Sequence, residues 1–272
     1  MKNSITKNKT IRGYFSYAFG LSFLMAAAFL VLIGAKPVNA QVTPARKTVV
    51  LVHGAFADGS SWERIIPILQ KNGLNVIAVQ NPLTSLADDV AATKRAIESA
   101  EGDVILVGHS WGGAVITQAG VSDKVSALVY VAAFAPSKDQ SANESQSGFP
   151  KPEWLTQINV DKQGFVTLKP EAVANFFAQD LPAAETSIMA ATQGATAFRC
   201  FEDKITETAW SSKPSWYIVG ANDRMINPEL EKTYAKKMNS KMTILPTSHV
   251  PMLSKPKEVA DVILDAAGLK KK

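Results

Sequence analysis

The stretch Asp103-Val104-Ile105-Leu106-Val107-Gly108-His109-Ser110-Trp111-Gly112-Gly113 decides how this chain folds. Its apolar, β-branched start reads as a buried strand, and it runs without a break into Gly108-His109-Ser110-Trp111-Gly112, a G-x-S-x-G sequence, with Gly113 leading into a helix. A serine on so sharp a strand-to-helix turn is held in a strained backbone conformation, and glycines two residues to either side leave room for it. The hydroxyl then stands clear above the end of the sheet. G-x-S-x-G alone is a weak signal; the strand before it and the helix after it give it weight.

Outward from this segment, strand and helix alternate. Apolar runs at Thr48–Val52, Asn75–Val79, Asp103–Val107, Val125–Ala133, Ser215–Val219 and Met242–Leu245 lack apolar/polar alternation, as strands covered on both faces do. Between them, Ser60–Asn72 places Trp62, Ile65, Ile66 and Leu69 at helical spacing and stops at Gly73, and Thr84–Ser99, Gly113–Gly120, Pro228–Met238 and Pro256–Ala267 read as further helices. The pattern predicts an α/β fold, a mostly parallel sheet with helices on both faces and right-handed crossovers. It lapses between about 137 and 212, where a polar loop, Ser137–Pro152, leads into helix-like pieces at Glu171–Gln179 and Ala183–Gln193. An insertion of this length between two core strands predicts a mainly helical cap over one end of the sheet, not a second domain.

The chain has 272 residues, 46% of them hydrophobic, with 29 Lys and Arg against 24 Asp and Glu. All of the positive surplus lies at the start: residues 1–40 hold Lys2, Lys7, Lys9, Arg12 and Lys36 and no acidic residue, so residues 41–272 are formally neutral. Without a basic cluster in that body, a nucleic-acid partner loses its electrostatic footprint. The basic start, the apolar run from Tyr14 to Ala35 and the small residues of Val38-Asn39-Ala40 resemble a secretory signal peptide cleaved after Ala40. The expectation is therefore a leader at 1–40, one domain at 41–272, a periplasmic or secreted location, and no stable membrane association once the leader is gone. A retained apolar run of about 20 residues would instead be long enough to anchor the chain in a bilayer. Cys200, the single cysteine, has no disulfide partner and reads as a small buried apolar residue.

A serine at its free pKa is inert and needs a base held by a third group. The chain has three histidines: His53 ends the first strand, His109 precedes Ser110, and His249 follows the last strand in Ser248-His249-Val250-Pro251-Met252. Only His249 comes late enough for the order Ser…acid…His, and a loop at the carboxyl end of a parallel strand is where ligands meet such sheets. His53 and His109 read as packing and loop-orienting residues. Asp223, in Gly220-Ala221-Asn222-Asp223-Arg224, is the first carboxylate beyond the strand Ser215–Val219 and the candidate to orient His249. The oxyanion hole is expected from backbone N–H groups of Trp111 and of the loop after the first strand, with Ala55 the choice there and Phe56 the near alternative.

His53-Gly54-Ala55, Trp62, Gly108-His109-Ser110-Trp111-Gly112-Gly113, Val131-Ala132-Ala133-Phe134-Ala135-Pro136, the loop from Val219 to Asp223 and Ser248-His249-Val250-Pro251-Met252-Leu253 together resemble the serine α/β-hydrolase family. More narrowly they are similar to its small capped branch of methylesterases, hydroxynitrile lyases and bacterial esterase-like proteins. The resemblance covers roughly 47–135 and 215–267 well and the cap loosely. It implies an α/β-hydrolase fold with Ser110, His249 and Asp223 as the catalytic triad and Ala55 and Trp111 as oxyanion donors. The lyases of this branch carry a Lys directly after the catalytic His and a Thr after the His of the first loop; here Val250 and Gly54 stand there, which favours ester hydrolysis. Dehalogenases and epoxide hydrolases of the wider family use an Asp nucleophile, against which Ser110 argues.

The cap is rich in large apolar residues, among them Phe149, Trp154, Phe165, Phe176, Phe177, Met189, Phe198, Phe201 and Trp210. With Phe56, Trp154 and Met252 as candidate substrate contacts, they suggest an apolar pocket for a small or medium ester. No cofactor and no metal is expected, since the chain has neither a Cys pair, nor H-E-x-x-H, nor G-x-x-x-x-G-K-[ST]. The expected function is hydrolysis of carboxylic esters through an acyl-enzyme on Ser110. Two other readings are a cofactor-free lyase or dioxygenase using His249 and Asp223 with Ser110 accessory, and a hydrolase-like binding protein that keeps the fold as a small-molecule receptor.

Overall fold

A computed structural model of the chain describes residues 46–269, so the expected leader at 1–40 and its cleavage point lie outside the described residues. In chain order the core begins β1 (Thr48–Val52), α1 (Ile66–Lys71), β2 (Asn75–Val79), α2 (Leu86–Ser99), β3 (Val104–Ser110), α3 (Trp111–Ala119) and β4 (Val125–Ala133). The insertion follows, with β5 (Ile158–Val160), β6 (Phe165–Leu168), α4 (Pro170–Ala172), α5 (Ala183–Thr192) and β7 (Thr196–Ala197). The core resumes with β8 (Ser215–Gly220), α6 (Pro228–Lys237), β9 (Lys241–Leu245), α7 (Pro251–Ser254) and α8 (Pro256–Ala266).

Six parallel strands form one sheet in the order β2-β1-β3-β4-β8-β9. Every residue of β1 and β3 is buried, which requires helices on both faces and accounts for their unbroken apolar sequence. α1 packs beside α8, and α2 beside α3. The strand order reverses between β1 and β3, so the loops after these two strands face each other across the topological switch point, where open parallel sheets bind ligands.

Local chemistry sets the helix starts. Ser85 caps α2 by accepting the Asp88 N–H at 3.1 Å while its own hydroxyl donates to the Asp88 carboxylate at 2.7 Å. Asn227 caps α6 through the Glu229 N–H, with Pro228 in the first turn where its missing N–H costs nothing. The single helix expected over Ser60–Asn72 is instead a 3-10 turn at Gly59–Trp62 followed by α1. Pro67 is the reason: it has no N–H to return to Glu63, so a helix begun at Ser60 cannot pass through it.

The insertion between β4 and β8 carries helical pieces where the sequence places them, at α4, α5 and a π-helical turn over Val173–Phe177. It also holds a three-stranded antiparallel sheet, β5-β6-β7, which the sequence reading did not include. The Asp161 carboxylate accepts the N–H groups of Gln163 and Phe165, and Gly164 takes φ +81°, closing the β5–β6 hairpin. Among the described residues no helix is long and apolar enough to cross a membrane.

The sheet and α3 meet without side chains between them at Gly112, where a Cβ would lie 2.5 Å from the Val52 carbonyl oxygen and 2.8 Å from that of His53. Gly112→Ala is expected to push β1 off α3 and destabilise the fold by about 1–3 kcal/mol, the usual cost of overpacking. Thermal melting of the variant beside wild type checks this, and an unchanged Tm contradicts it.

Candidate active site

Ser110 ends β3 and stands at φ +52°, ψ −120°, a left-handed conformation costly for any residue but glycine. The ladder to β4 slips one residue between His109 and Ser110, lifting the serine out of the strand. The loop after β1 comes up against it: a Cβ on Gly54 would lie 2.7 Å from the Ser110 Cβ, so only glycine lets this loop approach. His53 holds the loop in place. Its Nε2 accepts the Asn81 N–H at 2.9 Å, which leaves the proton on Nδ1, donated to the Gly54 carbonyl at 2.8 Å.

His249 and Asp223 are brought together from the loops after β9 and β8. His249 Nδ1 donates to Asp223 Oδ2 at 2.5 Å, with both side chains out of solvent. The other oxygen, Oδ1, accepts the N–H groups of Met225 at 2.6 Å and Ile226 at 3.0 Å. With Nδ1 protonated, neutral His249 presents Nε2 as an acceptor, and His249 and Ser110 line the same cavity. Among the described residues neither the Ser110 hydroxyl nor His249 Nε2 has a hydrogen-bond partner, and the two are not bonded to each other. Arg224 takes no part in the Asp223 pair; it donates to the Asn175 carbonyl in the cap at 2.9 Å.

His109 Nε2 donates to the His249 carbonyl at 2.8 Å, tying the β3 turn to the His249 loop. Burial, and then the neighbouring His249, hold His109 well below the usual imidazole range, so it stays neutral beside that ring. Burial lowers His53 too, against the pull of its Gly54 hydrogen bond.

Trp111 opens α3, where an N–H has no acceptor a turn earlier and is free for a ligand. Across the cavity the Phe56 N–H is taken by Thr196 Oγ1 of β7 at 3.3 Å, which leaves Ala55 as the candidate donor of the two. The Trp111 indole turns away, donating to the Asp89 carboxylate at 2.8 Å. Asp89, absent from the sequence reading, is buried in α2, and burial pushes it up to about 6 against its bonds to Trp111 and the Leu83 N–H.

Phe56 and Trp154 meet edge to face, with ring centroids 5.8 Å apart, and line the cavity above Ser110 together with Ala55, Phe134, Phe201, Met225 and Ile226. Met252, expected there, is fully buried in α7 outside this lining. The turn that opens at Pro251 aims it into the core, which its nearness to His249 in sequence did not reveal. Met225 and Ile226 were missed, although their place directly after Asp223 was a signal that could have found them. Phe177 of the cap packs on both His109 and His249, at 6.2 and 5.2 Å between centroids. Cys200 is buried and free, its thiol pushed up to about 12 by burial. No cluster of metal-ligating side chains occurs among the described residues.

Residues 49–262 match the family model described as "Alpha/beta hydrolase family". The chain belongs to the α/β-hydrolase family. A pyrethroid hydrolase of Sphingobium wenxiniae is 25% identical over 80% of this chain and 87% of its own, and methylesterase 8 of Arabidopsis thaliana is 24% identical over 92% and 98%. The crystal structure of polyneuridine aldehyde esterase superposes with a TM-score of 0.71 at 21% identity, over 82% of this chain and 99% of the other. Within the family this α/β-hydrolase therefore falls among enzymes of the esterase type. In it, Gly54→Ala is expected to displace the loop carrying Ala55 and to lower kcat about 100-fold, the worth of one oxyanion donor, with KM little changed. Steady-state kinetics on a p-nitrophenyl ester measure both, and a kcat within twofold of wild type rules the displacement out.

Proposed function

We propose that this hydrolase cleaves carboxylic esters of small or medium apolar substrates through an acyl-enzyme on Ser110. The observation that carries the reading is the buried hydrogen bond from His249 to Asp223, with the free Nε2 and the Ser110 hydroxyl on one cavity. His249 Nε2 takes the Ser110 proton as Oγ attacks the ester carbonyl, and Asp223 stabilises the imidazolium that results. The N–H groups of Ala55 and Trp111 hold the tetrahedral oxyanion. Collapse breaks the bond to the alcohol, which leaves with the proton from His249. A water, deprotonated by His249, then attacks the acyl-serine; collapse releases the acid and returns the proton to Ser110.

The aromatic lining supports an apolar substrate, as does a neighbouring chamber walled by Leu155, Ile158, Val166 and Phe198 that shares Phe56, Phe134, Trp154 and Phe201 with the cavity. As it stands the cavity above Ser110 measures about 10 Å³ and the chamber about 40 Å³, room for about one water and little more. An ester enters by parting the Phe56 and Trp154 rings and joining the two spaces. The relative named a methylesterase supports ester cleavage as the chemistry. Export through the leader at 1–40 completes the proposal, to be tested by the intact mass of the exported form, expected to begin at Gln41.

Ser110→Ala is expected to lower turnover of p-nitrophenyl butyrate by about four orders of magnitude or more, and a fluorophosphonate probe to label Ser110 alone. Activity retained by the variant on the natural substrate would favour a lyase or dioxygenase, and binding without turnover a receptor. Trp154→Ala is expected to raise kcat/KM for octanoate relative to acetate esters by about tenfold, as lost ring volume joins the chambers. An unchanged ratio places the acyl chain elsewhere.

A further inference from the structure

α6 places a second carboxyl group behind Asp223. Glu231 is fully buried, its Oε2 accepting the Gly220 N–H at 3.1 Å, while Oε1 lies out of solvent with no donor directed at it. The Gly220 it holds is also the residue against which Asp223 packs: the Asp223 N–H donates to the Gly220 carbonyl at 3.1 Å, and a Cβ on Gly220 would lie 3.3 Å from the Asp223 Cβ, so the two carboxyl groups are neighbours and the Asp223 charge acts on Glu231. Two ionised carboxylates in contact inside a protein repel strongly and both lose hydration, so the pair keeps one proton unless a cation intervenes. Among the described residues none does: Lys232, the nearest basic group on α6, is bonded to Glu229 at 2.7 Å.

Three donors converge on Asp223, from Met225, Ile226 and His249, and one on Glu231, from Gly220. The charge therefore rests on Asp223 and the proton on Glu231. Burial, and then the Asp223 charge, hold Glu231 well above the usual carboxylate range. The other titratable groups facing it are the hydroxyls of Tyr217 and Tyr234, and both are engaged elsewhere, with the Ala133 carbonyl and with the Ser145 hydroxyl. Neither supplies the missing donor to Asp223.

We propose that Glu231 is a positioning residue for the esterase reaction, its neutral carboxyl group donating an O–H hydrogen bond to Asp223. The proposal rests on the Ser110–His249–Asp223 mechanism. The added donor fixes the Asp223 rotamer beneath His249 and draws off part of its negative charge, which tempers how strongly Asp223 favours the imidazolium. A neutral acid kept as a donor inside a site is a known use of a buried carboxyl group.

The test is the pH profile of kcat/KM for p-nitrophenyl butyrate in the full chain as wild type, E231Q and E231L, with difference infrared spectra and thermal melts of each. E231L is expected to lose about tenfold in kcat with KM within about twofold, and the pH below which activity falls is expected to move up by about half a unit. E231Q should restore both, because its amide donates to Asp223 and still accepts from Gly220. A neutral-carboxyl C=O band should be present in wild type near neutral pH and missing in E231Q. The proposal is overturned by absence of that band, by E231Q as slow as E231L, or by a folded E231L with the wild-type profile. Should E231L fail to fold, E231Q and the band decide. Turnover retained by S110A would sink the mechanism itself, while the band would still report the Glu231 proton.

Discussion

The reactive end of this protein depends on backbone passing backbone, at the Ser110 turn, more closely than side chains permit. A Cβ at Gly108 would meet the Gly112 carbonyl oxygen at 2.5 Å, and one at Gly113 the Phe134 carbonyl oxygen at 2.3 Å. These contacts bind the end of β3, the start of α3 and the ends of β1 and β4 into one unit, which can then hold Ser110 at φ +52° and Phe56 at φ +58°. Strained residues persist only where their surroundings over-determine them. Here parallel ladders on both sides of β3 and the His53 bonds to Asn81 and Gly54 do so.

Buried strands must be continuous apolar runs, so the core sheet was legible in the sequence to within a few residues. β3 was read too short because Gly108 looks like a turn, yet its ladder to β4 continues through Gly108 and Tyr130 to His109 and Val131. That Ser110, Asp223 and His249 would meet was legible for a related reason: each lies at or just beyond a strand's carboxyl end, and parallel strands bring those ends together. What stayed hidden depends on contacts across elements. Asp89 and Glu231 look like ordinary helix carboxylates until the fold sets one under the Trp111 indole and the other against Asp223. The hairpin in the insertion was hidden by shortness, since β5 has three residues and β7 two, too few for a period to emerge.

The electrostatic design keeps a single negative charge beside His249. His109 lies 4.8 Å from it, centroid to centroid, and a second imidazolium there would oppose the charge that forms on His249 during the proposed reaction. Burial removes that conflict by holding His109 neutral, while its Nε2–H still fixes the His249 backbone. A protonated Glu231 does the same on the other side, offering hydrogen bonding without adding charge. When His249 becomes an imidazolium, Asp223 is then its one partner, which is the condition for orienting and stabilising it together.

The cap has two ends with different attachments, and these fix which of them can yield to a substrate. The segment from Asn175 to Asp180 is bonded to both loops that carry the acid and the base: Arg224 to the Asn175 carbonyl, Gln179 to the Asn222 carbonyl, and the Ser248 N–H to the Asp180 carboxylate. Phe177, between them, packs on His249. Lifting this segment would loosen the Asp223–His249 pair at the moment it is needed. The aromatic end is held more lightly, by the Trp154 indole on the Met225 carbonyl, the Phe56 N–H on Thr196 Oγ1 at 3.3 Å, and ring contacts of Trp154 and Phe201 with Phe56 and of Phe201 with Trp111. Edge-to-face rings separate at a cost of about 0.5–1.5 kcal/mol per pair beyond their buried area, less than the loss of three hydrogen bonds and a packed ring. On the proposed mechanism the ester therefore comes in past Phe56 and Trp154, leaving the segment that holds His249 in place throughout the cycle.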